Sequence, residues 1–523
     1  LKSKYLQVIG WEDAMTVSRR IVLLQGCAIG AGVIATQMPG VVALAQGQPP
    51  QRRSLGDLQL NDPIVQAWRD GVGQLKQAPA SQAISWANFA AIHGNANAFN
   101  LCPHGNWYFL PWHRAFLLMY ERTVRQLTGH SDFALPYWDW TADRQLPAAF
   151  TQPTWNGQPN PLYEQQRSMS PTDSLPDEIV GQGVIATILG ETPFETFGTS
   201  RPNGQDSLDQ SWINCEGCGV SGTLEATPHN NVHNIVGGLM GGTQSALDPI
   251  FMMHHCNIDR IWAVWNVNNQ NANDSLWTDM TFQNNFYNPD GSFYSPKVSD
   301  MYIPETLGYT YGLAPPPATP TAPAPAIVAL GDKIKTLFAT PNISSAAGIK
   351  TFTAPNVQQA AATATKPLDI GVAVDRDLLL AVARRAPAGA GSELLDFNTA
   401  RERAASGPRA LAFIRDLAVT QHQNTLYRVF IDCDYLSQKT PISDPHYVGT
   451  FGIFGDHQSH GGKPAGRPSI ALDLTRAIKR VHGSATELTG RIRIQILPVP
   501  NTSTAGPPGT AAPGRIEVAF VSA

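Results

Sequence analysis

Asp248-Pro249-Ile250-Phe251-Met252-Met253-His254-His255-Cys256-Asn257-Ile258-Asp259-Arg260 is the stretch from which the rest of the chain can be read. Asp248 is placed as an N-cap and Pro249 in a first turn, so the segment opens a helix. Asp259 lies one turn beyond His255, where it can orient a neighbouring imidazole or pair with Arg260. Upstream, His229 and His233 stand at i and i+4 on one helical face, the spacing that lets two imidazoles bind one metal. With His255 they make one set of three.

A second set is His93, His104 and His113. His93 follows the apolar-periodic run Trp86-Ala87-Asn88-Phe89-Ala90-Ala91-Ile92, near the end of a helix. Pro111-Trp112-His113-Arg114-Ala115-Phe116-Leu117-Leu118-Met119-Tyr120-Glu121 reads as a buried amphipathic helix with Pro111 in its first turn. His104 sits in the loop between them. A single histidine of this kind is usually a hydrogen-bonded structural residue, and a His-x3-His pair is a weak signal. Two sets of three on aromatic-rich helices are a strong one. Six imidazoles without a bridging carboxylate suit copper better than paired zinc or magnesium.

Composition limits the alternatives. The 523 residues allow two or three domains, and 42% hydrophobic residues supply a sizeable core. A net charge of -4 without basic runs excludes nucleic acid or an anionic membrane as the expected partner. Ser18-Arg19-Arg20-Ile21-Val22-Leu23, an apolar stretch and Ala43-Leu44-Ala45 resemble a bacterial twin-arginine signal with its cleavage site. Residues 1–45 are therefore expected to be an N-terminal extension and signal, and the protein to be periplasmic or secreted, with no membrane contact after processing. Residues 46–313 read as a mainly helical domain. The proline-alanine run at 314–325 opens an extended linker, weakly continued to 365. Residues 366–523 show short β-type runs at Leu368–Val374, Leu426–Cys433, Tyr447–Phe454, Arg491–Leu497 and Arg515–Val521, the pattern of a β-sandwich or barrel.

Five segments carry a family resemblance: Cys102-Pro103-His104, Leu110-Pro111-Trp112-His113-Arg114, Pro136-Tyr137-Trp138-Asp139-Trp140, Leu224-Glu225-Ala226-Thr227-Pro228-His229-Asn230 and the Asp248–Arg260 stretch. In this order they closely resemble the type-3 copper superfamily of tyrosinases, catechol oxidases and haemocyanins, over roughly residues 85–312. The resemblance implies a four-helix-bundle core holding two copper ions. Copper A falls to His93, His104 and His113, and copper B to His229, His233 and His255, with His254 and Asp259 just behind. It implies O2 as co-substrate and small phenols as substrates, hydroxylated at the ortho position and oxidised to o-quinones. A catechol or o-aminophenol oxidase with little hydroxylase activity fits the same ligands, and an oxygen carrier of haemocyanin type shares all six. Oligomeric state and any copper-loading partner stay open.

Further positions carry over singly. Cys102 stands two residues before His104, the spacing at which resembling proteins form a cysteine–histidine thioether; a free buried thiol is the alternative. Glu225 and Asn230 match the pair that holds a proton-accepting water in resembling enzymes, although Glu225 is also an ordinary helix-start charge. Asn234 departs from the basic residue found there in some monophenol hydroxylases. Tyr309-Thr310-Tyr311-Gly312 resembles the tyrosine motif that closes the catalytic domain of longer members. Tyr447–Gly455 resembles their C-terminal shielding domain, with Phe451 or Phe454 as the candidate lid residue, unless both pack inside the sandwich. Cys215-Glu216-Gly217-Cys218 reads as a local disulfide or a copper-handling thiol pair, and Cys256 and Cys433 as buried thiols. Asp456–His460 reads as a solvated loop or a weak copper site.

Overall fold

The computed structural model describes residues 48–313, 325–339, 345–384 (save 356, 358 and 359), 407–455, 466–485, 488–502 and 506–522. The signal-like segment, the proline run up to 324 and Asp456–His460 lie outside the described residues. Helix α1 (Pro63–Gln77) starts where Asp62 accepts the Ile64 N–H and Pro63 occupies the first turn. Helix α2 (Trp86–His93) is capped by Ser85, which accepts from the Asn88 amide. Helix α3 (Phe109–Thr128) is buried almost along its whole length and stops at Gly129, left-handed with φ 73°. Helix α4 (Asn230–Val236) continues a π turn over Glu225–His229, and helix α5 spans Ile250–Asn266. Pro228 lacks an amide hydrogen, which suits a turn whose bonding register has shifted. Before α5, Asp248 accepts the Ile250 N–H and a two-pronged ion pair from Arg167.

One buried charge cluster ties the helices to the end of this helical region. Arg52 donates to Glu121 (2.9 Å) and Asp259 (3.1 Å), and Arg114 donates to Asp259 at 2.5 Å. The hydroxyls of Tyr309 and Tyr311 donate to the same Asp259 oxygen at 2.7 and 2.6 Å, and the Arg52 guanidinium lies 3.5 Å over the Tyr309 ring. Burial alone would raise the Asp259 carboxyl, but the Arg114 and Arg52 guanidiniums hold it below its usual value. Asp259 therefore serves the scaffold. It neither orients an imidazole nor pairs with Arg260, whose own partners are Asp139 and Asn257. The Tyr309–Tyr311 segment is an anchor for that carboxylate.

The C-terminal region is an antiparallel sandwich. Its strands are β1 (Ser345–Ala346), β2 (Ile349–Thr353), β3 (Leu368–Ala373), β4 (Arg409–Arg415), β5 (Thr425–Ile431), β6 (Tyr447–Phe451), β7 (Ile470–Asp473), β8 (Arg491–Pro500) and β9 (Arg515–Val521). One sheet runs β6-β5-β8-β3 and the other β7-β4-β9-β2-β1. Side-chain alternation sorts each strand into two cores. On β4, Ala410, Ala412 and Ile414 enter the sandwich interior, while Leu411 and Phe413 face helix α6 (Pro325–Ala339). On β8, Ile492, Ile494 and Ile496 point inward, and Leu497 and Val499 join the core of the helical domain. Apolar positions on both faces explain why the strand runs read as short and nearly continuous.

The segment read as linker to 365 is corrected here. Helix α6 packs Leu330, Ile334, Leu337 and Phe338 on the five-stranded sheet, and β1 and β2 add two strands to that sheet. The helix lies among alanines and the strands are only two and five residues long, which hid them. Charged contacts also join the halves: Glu178 accepts from Arg428 (2.7 and 2.8 Å) and from the Thr450 hydroxyl (2.7 Å), and Arg409 bridges Glu191 and Asp473. Asp259→Ala would leave two buried guanidiniums without their shared carboxylate and should cost about 3–5 kcal/mol. Urea unfolding followed by tryptophan fluorescence measures it; a loss under 1 kcal/mol would remove Asp259 from this scaffolding role.

Candidate metal centre

The residues of the two histidine sets come from six places in the chain and meet in one buried volume. His93 ends α2, His104 sits in the following loop, His113 is on α3, His229 closes the π turn, His233 is on α4, and His254 and His255 are on α5. Ligand atoms of His93, Cys102, His104 and His113 lie within 4.8 Å of one another, and so do those of His229, His233, His254 and His255. The clusters adjoin: the His113 and His255 rings stack at 4.2 Å and 11°.

Four of the rings are held from behind. His113 Nδ1 is 2.8 Å from the Phe109 carbonyl, and His233 Nδ1 is 2.8 Å from that of Met240. His93 Nδ1 lies 3.4 Å from the Thr243 carbonyl, and His229 Nδ1 meets the Asn230 side-chain oxygen at 2.8 Å. These acceptors place the proton on Nδ1 and leave Nε2 bare, the arrangement of a metal ligand. His254 is different. The Trp140 indole, which can only donate, gives its hydrogen to His254 Nδ1 at 3.2 Å. In the neutral ring the proton then sits on Nε2, which disqualifies that nitrogen as a donor to metal. His255 has no such constraint: its Nε2 is 3.2 Å from Nε2 of His233.

Burial lowers the His93 and His229 pKa values to about 3. It also lowers those of the other five, helped by neighbouring imidazoles. All seven are therefore neutral at physiological pH, the form that binds metal. The buried Nε2 atoms of His93 and His229 have no hydrogen-bond partner, although buried polar atoms of folded proteins are nearly always satisfied. A purely imidazole donor set with bare nitrogens converging on two points fits two copper ions.

Other residues singled out in the sequence fall as follows. Cys102 is a buried free thiol whose Sγ is 3.7 and 3.5 Å from the two ring nitrogens of His104. Glu225 accepts the Gly105 N–H at 2.7 Å and the Thr199 hydroxyl. Burial raises its carboxyl to about 7, against the lowering effect of these two hydrogen bonds. The Asn230 side chain donates to the Gly452 carbonyl at 2.9 Å while holding His229; among the described residues no hydrogen bond joins it to the Glu225 side chain, although the Asn230 backbone N–H donates to the Glu225 carbonyl. Asn234 donates to the Ile453 carbonyl at 2.7 Å. Cys215 and Cys218 form a disulfide, and Cys256 and Cys433 are buried free thiols.

The two phenylalanines of the C-terminal loop part company. Strand β6 ends at Phe451 because the next amide, Gly452, turns away to the Ala226 carbonyl at 2.8 Å. Phe451 stays inside the sandwich, stacked on Tyr427 at 5.1 Å, so its candidacy as a lid is corrected. Phe454 stacks on His233 at 4.1 Å and 23° and stands edge-on to His104 at 5.3 Å. Phe99, which no motif signalled, completes the enclosure at 4.3 Å from His104 and 5.5 Å from Phe454. Gly455 (φ 77°) lets the loop leave past that ring, since a Cβ there would lie 2.1 Å from it.

Comparison with known proteins now adds the family. Residues 83–268 match the model for the common central domain of tyrosinase, the span that supplies all seven histidines. That span is thus similar to the central domain of the tyrosinase family. It is 26% identical over 321 residues to a tyrosinase of Hahella sp., covering 52% of this chain and 66% of that one. It is 30% identical over 312 residues to a chloroplastic polyphenol oxidase of Malus domestica, covering 52% and 51%. The chain thus spans about two thirds or less of the length of these relatives. In fold it is similar to latent apple tyrosinase, with a TM-score of 0.60 at 20% identity over 92% of this chain and 98% of that one. Latent aurone synthase gives the same score at 18% identity, covering 91% and 90%. The chain pairs a helical core bearing the histidine clusters with a β-rich C-terminal region, as the sequence implied. No helix among the described residues is long and apolar enough to cross a membrane.

His113→Ala or His233→Ala should leave one copper per chain where the parent holds two, because a pair of imidazoles binds too weakly to survive desalting. His254→Ala should keep both. Elemental analysis after gel filtration checks each; two coppers in His113→Ala, or one in His254→Ala, would redraw the ligand sets.

Proposed function

We propose that this protein oxidises phenols with O2 at two coppers, converting o-diphenols to o-quinones and hydroxylating monophenols at the ortho position. The observation that carries the reading is the pair of adjoining imidazole clusters. Copper A would be held by His93, His104 and His113, and copper B by His229, His233 and His255. When bound, the two metals supply the paired electrons that O2 reduction requires.

The chain's own residues do the rest. Phe99 and Phe454 line the approach with aromatic faces, against which a phenol ring can stack. Asn230 keeps the His229 proton on Nδ1 and so keeps Nε2 available. Glu225, buried and with a carboxyl raised to about 7, retains lone pairs beyond those used by Gly105 and Thr199. With a water shared with Asn230 it would take the phenol proton near neutral pH, where such a base is half ionised. The neutral Asn234 beside this site favours the second reading, a catechol oxidase with weak hydroxylase activity.

Phe454 occupies the position a substrate ring would take above His233, so the protein as described is a closed form. Substrate entry requires the loop of residues 452–455 to leave. Its backbone is held by Ala226, Asn230 and Asn234, and Phe454 is the part that blocks. For Cys102, the near-equal distances to both nitrogens of His104 put Sγ within reach of the carbon between them. Thioether formation there would release one hydrogen from sulfur and one from carbon, with O2 as the oxidant. The cross-link would fix a ligand that no helix holds.

The copper-loaded protein, mixed in air with catechol and then with tyrosine, tests the function. Browning with both supports the proposal, browning with catechol alone supports the second reading, and neither with the Phe454→Ala variant refutes both. Phe454→Ala should raise turnover of bulky diphenols by roughly tenfold or more, since removing an obstructing ring of this size recovers on the order of 1–3 kcal/mol of binding. Phe451→Ala should lower stability without that gain. For the thioether, mass spectrometry of the peptide carrying Cys102 and His104 should find it about 2 mass units light from the loss of two hydrogens, and resistant to alkylation. An alkylatable Cys102 in active protein would show the bond to be absent.

A further inference from the structure

Among the six proposed ligands, His104 is the one that lies on no helix. Its environment is built by a segment that neither the mechanism above nor the matched motifs use: the disulfide-closed loop Cys215-Glu216-Gly217-Cys218. The loop is bonded along the edge of residues 104–105. Gly217 donates to the His104 carbonyl at 2.9 Å and Gly219 to the Gly105 carbonyl at 2.7 Å. The approach is close enough that a Cβ on Gly105, which has φ 60°, would lie 2.7 Å from the Gly217 Cα. Asn106 reaches the Cys215 carbonyl from the other side.

Glu216 is then delivered to a single target. Its side chain is 2% exposed. Oε1 accepts the His104 backbone N–H at 3.2 Å, and Oε2 faces His104 Nδ1 at 3.5 Å. One carboxyl group thus accepts from the backbone of this ligand and stands against its ring. We infer that Glu216 is a positioning residue for copper A, holding His104 with Nδ1 turned to its carboxylate and Nε2 turned into the cluster.

The chemistry separates this ligand from its neighbours. Behind His93, His113 and His233 the acceptor is a backbone carbonyl, and behind His229 it is an amide oxygen. His104 has a carboxylate. An acceptor oxygen placed behind Nδ1 favours the proton there, leaves Nε2 for the metal and fixes the ring plane, which strengthens metal binding. A loop-borne ligand needs that help most, because its backbone lacks helical restraint. The disulfide across residues 215–218 limits the conformations of the loop that carries the carboxylate. The C-terminal region closes over it, where Gly466 donates to the Glu216 carbonyl at 2.9 Å.

This inference rests on the copper-A reading, and the test separates the two. The full-length, copper-loaded chain is mixed with excess bicinchoninate under reducing conditions, and copper transfer is followed by absorbance. In the parent, two coppers per chain should be released; fewer than two in the loaded parent would refute the copper assignment itself. Glu216→Gln keeps the size and a neutral acceptor, so the thermal midpoint of the metal-free chain should match the parent. One of its two coppers should leave about 10-fold faster or more, the usual scale for losing such a partner, while the other keeps the parent rate. Glu216→Ala, which also loses the backbone grip, should release that same copper faster still. A Glu216→Gln protein that releases both coppers at parent rates, or accelerates both equally, would overturn the role of Glu216 while leaving the copper sites standing.

Discussion

Seven neutral imidazoles, all nearly inaccessible to solvent, share one interior, and the fold is organised around making that burial tolerable. Protonating any of them there would set cations against one another in a low-dielectric space, so burial keeps them uncharged. Keeping them uncharged leaves bare nitrogens, and bare nitrogens need a partner. The backbone carbonyls of Phe109, Thr243 and Met240 and the Asn230 amide answer half of the requirement by taking Nδ1, and the Glu216 carboxyl stands against that of His104. Metal answers the other half. The helices are therefore short where a loop carbonyl must reach a ring, and the π turn at Glu225–His229 sets His229 at the start of α4.

The charge cluster at Asp259 does a different job with the same economy. Two arginines, two tyrosines and two carboxylates join the strand-like start of the domain, α3, α5 and the segment that closes it. Because Asp259 sits one turn from His255, the same helix that presents a metal ligand is locked to the scaffold a few ångströms away. A ring position accurate enough for two adjoining metals needs this kind of support.

The C-terminal sandwich adds a wall. Its four-stranded sheet buries Leu426, Leu497 and Val499 against the helical core, so the contact is an apolar interface with ion pairs at Glu178 and Glu191. The loop after β6 then makes backbone hydrogen bonds to Ala226, Asn230 and Asn234, the residues flanking two histidines. Loop and ligand helix are stitched through one main-chain pair and two asparagine side chains, contacts that no local pattern in the sequence announces.

That last point marks the division between what the chain's letters state and what folding adds. The six clustered histidines, the helices that carry most of them and the β-rich character of the C-terminal half were legible, because periodicity and residue chemistry are local properties. Strands β4 and β7 and helix α6 were not. Their apolar positions face two different cores, or sit among alanines, so no single period betrays them. Asp259 read as a partner of its neighbour Arg260, yet it went to Arg52 and Arg114, since a buried carboxylate is claimed by whichever cations the packing brings. Phe451 and Phe454 looked equivalent in sequence. Three residues of strand and turn, set by where Gly452 finds a carbonyl, put one ring in the sandwich and the other on His233. By itself the sequence determined which atoms can bind metal; only the tertiary structure decided which side chains stand behind and above them, because those contacts join residues as far apart as His104 and Phe454 and depend on long-range packing.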